Sequence, residues 1–96
     1  MSAEGVVGDA IQSLSSELPS EVISLVMTNA KFRSRLLALR DAAISGLIAG
    51  LCRGELERRL VSNKQGILEL APPNYYEKLE SLLDRAISQV LEGAAT

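Results

Sequence analysis

Few side chains in this chain could do chemistry, and their types exclude most of it. Histidine is absent, which removes the usual general base near neutral pH and the commonest metal ligand. Cys52 is the single cysteine, so neither an internal disulfide nor a Cys-based zinc site can form. Its neighbour Arg53 could lower the thiol pKa, but without a histidine or a resolving cysteine the simpler reading is a small core residue. Serines are plentiful, yet a Ser–His–acid triad is impossible, and Lys31, Lys64 and Lys78 have no catalytic motif around them. Glu55 and Glu57 are two positions apart, about 200° around a helix, and so cannot act as a paired acid and base from one face. The glycines from Gly46 to Gly54 lie in a helical pattern and lack the lysine of a phosphate-binding loop. The expectation is a chain with no enzymatic activity, no metal and no cofactor.

Arginine is the residue type that remains. Arg53, Arg58, Arg59 and Lys64 lie close together in sequence and could contact phosphates, with an affinity that falls steeply with salt. Glu55 and Glu57 interrupt them, and pairing of Glu55 with Arg59 at i,i+4 is the simpler account. The aromatics Phe32, Tyr75 and Tyr76 sit on apolar faces rather than beside the basic residues, which argues against base stacking. Direct nucleic-acid binding by these four residues is therefore the alternative reading.

Arg33 and Arg40 are different. On a wheel of about 100° per residue they project from the middle of an apolar arc made by Phe32, Leu36, Leu37, Leu39, Ala43, Ile44, Leu47, Ile48 and Leu51. Either their stems snorkel to water, or they pair with acids on flanking helices or on another chain. A guanidinium left buried and unpaired there costs several kcal/mol. The same segment carries small residues at every fourth position: Ser34, Ala38, Ala42, Gly46, Gly50 and Gly54. They form a low i±4 ridge along which another helix could approach. Each interior glycine costs roughly 0.8–1 kcal/mol relative to alanine, which close packing would offset; the alternative is that Gly50 and Gly54 lie in a loop. Membrane dimerisation motifs look similar, but this segment is short and has Arg40, Asp41 and Arg53 at its edges. The partner-binding candidates are Arg33, Arg40, Ala38, Ala42, Gly46 and Gly50.

The elements that must position these residues read as helices throughout. Val7, Ala10, Ile11, Leu14 and Leu18 have helical spacing, weakened at the start by Gly5 and Gly8. Pro19 ends that helix, and Ser20 caps the next, with Glu21 in its first turn. Val22, Ile23, Val26, Met27 and Ala30 make its apolar stripe, and Thr28-Asn29 is either a break or read through. Residues 30–61 read as one long central helix or two collinear ones, bent or interrupted at Gly50 or Gly54. Ser62 to Gly66 has turn composition, and residues 67–70 form a short link. After Pro72-Pro73, Asn74 and Glu77 have capping-box spacing. The last helix runs from Tyr75 to about Glu92, with Leu79, Leu82, Leu83, Ala86, Ile87 and Val90 on one face and Gly93 as its stop. No period-2 strand stands out. The fold expected is an all-α bundle of three to five helices, one domain over residues 1–96 with a short tail at 93–96.

Charge is laid out unevenly. Of 96 residues, the first thirty carry Glu4, Asp9, Glu17 and Glu21 and no base, a net −4; residues 31–64 carry +5, and residues 65–96 carry −3. Either the acidic flanks fold over the basic centre and neutralise it, or the centre is a surface for phosphate or an acidic partner. Glu4 stands where a signal peptide needs positive charge, and the uncharged stretch 42–52 falls short of the ~18–20 residues of a membrane span. A cytoplasmic, soluble protein is the expectation.

Two blocks resemble archaeal GINS subunits. Lys31-Phe-Arg-Ser-Arg-Leu-Leu-Ala-Leu-Arg-Asp-Ala-Ala-Ile-Ser-Gly46 is similar to that family's arginine-containing apolar helix followed by a glycine. Leu68-Glu-Leu-Ala-Pro-Pro-Asn-Tyr-Tyr-Glu-Lys-Leu79 is similar to the link in which a Pro-containing turn starts a helix with an aromatic pair. The resemblance covers about half the chain. It implies a helical domain assembled beside sister subunits, with a non-catalytic role coupling the replicative MCM helicase to other replisome proteins. The small β-rich domain usual in that family has no counterpart here, and a small helical accessory of a DNA polymerase would read the same way. The function expected is that of a helical adaptor held in a hetero-oligomeric or homo-oligomeric complex, without a membrane.

Overall fold

Five α-helices and one 3-10 turn account for nearly all of residues 2–94, which the computed structural model describes. They are α1 (Ala3–Ser16), α2 (Ser20–Thr28), α3 (Ala30–Ile48), α4 (Arg53–Leu68) and α5 (Tyr76–Ala94), and none of the described residues forms a strand. Helix α1 lies along α5, α3 packs on α4 and more lightly on α1, and α4 packs on α5; α2 rests chiefly on α3. The radius of gyration is 12.7 Å, close to the ~12.5 Å expected of a compact chain of this length.

One apolar cluster holds these helices together. Val7, Ala10 and Leu14 enter it from α1, Phe32, Leu39 and Ala43 from α3, and Leu56, Leu60 and Ile67 from α4. Leu79, Leu82, Leu83, Ile87 and Val90 supply the α5 side, on the face that the periodicity assigns to the core. Two helix starts are set by side-chain caps. The Ser2 hydroxyl accepts from the Gly5 N–H at 3.1 Å, which offsets the weak glycine-containing start of α1. Asn29 is a break and not read through, its side chain accepting from the Phe32 N–H at 3.0 Å. Ser20 is the first residue of α2 and Pro19 its cap, one position earlier than the sequence pattern places it.

The long central helix does not exist as a continuous or collinear element. Residues 49–52 reverse the chain, so that α3 and α4 form an antiparallel hairpin. Gly50 supplies the turn with φ +70°, while the Leu51 N–H donates to the Gly46 carbonyl at 3.1 Å and the Gly50 N–H to that of Leu47 at 3.2 Å. This is a Schellman C-cap, which needs a left-handed residue that glycine adopts without steric cost.

The turn expected at Ser62 to Gly66 is also absent, because α4 continues to Leu68. Leu56, Leu60 and Ile67 share its buried face, and a turn at residue 62 would take Ile67 and Leu68 out of the core. Tertiary burial overrides the turn propensity of Ser-Asn-Lys-Gln-Gly. Pro72-Pro73 interrupts helix as expected, but α5 is reached through the 3-10 turn Pro73–Tyr75 and begins at Tyr76. Gly93 is not a stop. Helix α5 runs through it to Ala94, and an added Cβ there would lie 2.6 Å from Val6 Cγ1, so Gly93 lets α5 approach α1. The tail proposed at 93–96 is therefore helical over its first two residues, and the last two lie outside the described residues. Among the described residues no helix is long and apolar enough to cross a membrane.

Candidate functional site

The basic centre is largely engaged within the chain. Arg58 pairs with Glu55 through both carboxylate oxygens at 2.7–2.8 Å, and Arg59 Nε joins the same carboxylate at 3.1 Å. Hydrogen bonds from Arg58 and then Arg59 hold the Glu55 carboxyl below its ordinary range. Lys64, with its side chain only 14% exposed, reaches from α4 to Asp84 on α5 at 2.8 Å and to Glu80 at 4.0 Å. The bond to Asp84 raises its pKa against the opposing effect of burial. Arg53 Nη1 donates to the Leu91 carbonyl at 3.3 Å. The four residues singled out for phosphate contact thus face carboxylates or a carbonyl of their own chain.

Three arginines share a task that the sequence pattern does not reveal. No helix carries a basic residue in its own last turn, where positive charge is most stabilising. Arg33 supplies it for α2, donating from Nη1 to the Val26 and Met27 carbonyls at 3.0 and 3.4 Å. Arg35 does so for α4, bonding the Gly66 carbonyl and, at 3.1 Å, the Glu69 carboxylate. Arg53 does so for α5. At the end of α1, where Glu17 itself opposes the helix dipole, Arg85 of α5 pairs with that carboxylate.

The small-residue ridge divides into unrelated parts. Ser34 and Ala38 are exposed, Ala42 is half-buried, and Gly46 is buried against α4 of the same chain. An added Cβ at Gly46 would stand 2.5 Å from Leu56 Cδ1. Gly50 is the turn residue, and Gly54, in the first turn of α4, has nothing within 4 Å. Close helix approach at Gly46 therefore belongs to the α3–α4 hairpin, and of the ridge only Ser34, Ala38, Gly50 and Gly54 are exposed.

Arg33 and Arg40 border something else. Both are exposed, as snorkelling requires, and Arg40 pairs with its neighbour Asp41 at 3.1 Å. Beside them lies an open groove of about 370 Å³, walled by Ile11 and Leu14 of α1, by Ile23, Val26 and Met27 of α2, and by Leu36 and Leu37 of α3. Its lining contains two arginines and no acid. Met27 is 73% exposed, and Ile23 and Leu37 are each 43% exposed. Helix α2 has Val22, Ile23, Leu25, Val26 and Met27 within nine residues, yet buries only Val22. Ile23, Met27 and Leu37 escape a reading of the sequence because their helical spacing marks an apolar stripe without saying whether another helix covers it.

At the other end of α2 stands the exposed Glu21 carboxyl. Its own backbone N–H and then the Tyr75 hydroxyl hold that carboxyl below the ordinary range. No family model, no curated protein and no solved structure matches the chain.

Proposed function

We propose that this chain is a non-catalytic helical interaction subunit that holds a partner protein on the groove between α1, α2 and α3. The observation that carries this reading is the contiguous exposure of Met27, Ile23 and Leu37 in a concave surface. Apolar patches of this kind mark interaction sites. Covering the exposed parts of these three side chains supplies about 3 kcal/mol, taking about 2 kcal/mol for each fully buried side chain. The GINS-like blocks support a replisome protein as that partner, and a small accessory of a DNA polymerase would read the same way.

The test is quantitative affinity purification of tagged wild type, Met27→Glu and Leu37→Glu from the cells that make the protein. Both positions are exposed, so the variants should keep wild-type circular dichroism while losing the co-purifying protein. Full retention by both overturns the reading. Two other classes have their own signatures. Salt-sensitive DNA binding in fluorescence anisotropy, lost in Arg58→Ala/Arg59→Ala, would transfer the function to α4. A larger mass by light scattering for the purified chain alone, abolished by Met27→Glu, would make the occupant a second copy.

A further inference from the structure

Resting on the reading of the groove as a docking face, we infer that its occupant is an amphipathic helix of a partner protein, with acidic residues two turns apart that meet Arg33 and Arg40. The argument begins with backbone. Every described element beside the groove is helical and offers no sheet edge. An extended segment lying among Ile23, Met27 and Leu37 would leave its own N–H and C=O groups unpaired against apolar carbon. A helix satisfies those groups internally and presents only side chains.

Charge sets the second requirement. Arg33 and Arg40 are seven residues apart on α3, two turns or about 10.5 Å along the axis, and both line the groove. Carboxylates at i and i+7 of a helix running alongside α3 match that separation. Arg33 donates through Nη1 to the end of α2, which fixes its position, and the residue is exposed. Arg40 has Asp41 as its partner, and Asp41 is not part of the groove lining.

A second copy docking groove to groove fits poorly. Two grooves facing each other across a two-fold axis bring arginines against arginines, with no acid in either lining to separate them. The groove therefore favours a foreign acidic helix over itself.

The probe is a fluorescein-labelled, hydrocarbon-stapled peptide of about four turns with leucines at i, i+3, i+4 and i+7 spacing. One version carries two glutamates seven apart beside the leucine stripe, and a second carries lysines there. The glutamate peptide should bind roughly 10- to 30-fold more tightly, since two pairs change from attraction to repulsion. Arg40→Glu removes no helix cap, and this variant should lose most of that preference. Charge-independent binding, or a preference unchanged in Arg40→Glu, overturns the inference while leaving the docking face in place. Binding that Met27→Glu does not weaken lies outside the groove and overturns both. An unstapled version with a central proline that binds equally well overturns the helical occupant.

Discussion

Gly46 and Gly8 offer the same substitution in two environments, and the structure gives the outcomes opposite signs. Gly8 lies inside α1 with nothing within 4 Å of an added Cβ. Gly8→Ala should stabilise the chain by about 0.8–1 kcal/mol, the difference in helix propensity. Gly46 gains the same propensity in α3, but its new Cβ would stand 2.5 Å from Leu56 Cδ1 and 3.3 Å from Leu51 Cδ1. Carbon atoms prefer about 3.5–4.0 Å, so Leu56 must move by about 1 Å. It is fully buried and has no solvent to move into. Overpacking of this kind costs about 1–3 kcal/mol. After the propensity gain, Gly46→Ala should lose about 1 kcal/mol. The two variants should then differ by about 2 kcal/mol, or about 8–16 °C in Tm, in urea and thermal unfolding followed by circular dichroism. A double-mutant cycle identifies the cause. Leu56→Ala alone should cost about 2–5 kcal/mol, and about 1–2 kcal/mol less in the Gly46→Ala background, because the alanine methyl fills part of the space. An additive cycle, or a Gly46→Ala variant as stabilised as Gly8→Ala, would refute close packing of the hairpin at Gly46. Gly46→Leu, by the same geometry, should disrupt the fold itself rather than only an assembly.

Gly50→Ala forces a Cβ into a backbone with φ +70° and should destabilise by about 1–2 kcal/mol in the same unfolding assay; a gain in stability would mean that the turn is not a Schellman cap. Glu55 and Glu21 are both held below the ordinary value of 4.5, so their contributions are in place above that pH and are lost as pH falls through the lower folded values. Glu55→Gln should therefore flatten the acid limb of stability against pH below about 4.5, and an unchanged slope would mean that the Arg58 and Arg59 pairs contribute nothing.

What the sequence made legible were features carried by one element at a time. Helix α5 shows its packed face because a single undisturbed stripe from Leu79 to Val90 sets it, although the polar residue Gln89 also has its Oε1 buried, without a partner among the described residues. The pairing of Glu55 with Arg59 is legible for the same reason, at four positions' separation. Contacts between elements were not legible. Lys64–Asp84, Arg35–Glu69 and Arg85–Glu17 join residues 20, 34 and 68 positions apart, and only the bundle brings them together. Gly66 shows the limit of local signals. Its composition reads as a turn, yet the burial of Ile67 and Leu68 keeps it helical.

The charge layout then acquires a physical cause. Helices α2, α4 and α5 each end without a basic residue of their own. Arg33, Arg35 and Arg53, all from the basic centre, meet carbonyls in their last turns. Lys64 and Arg85 meet acids of other helices. Four of the eight bases at residues 31–64, Arg33, Arg35, Arg53 and Lys64, are therefore taken up by contacts between helices, which accounts for part of the +5 excess. The exposed arginines differ in their surroundings. Arg58 and Arg59 share Glu55 on an exposed face of α4, where charge alone is screened by salt and discriminates weakly. Arg33 and Arg40 stand beside an uncovered apolar groove. In the proposed docking, a hydrophobic contact there would supply attraction and the charges would select orientation and partner, which would place the discriminating contacts on α2 and α3 rather than at the basic cluster of α4.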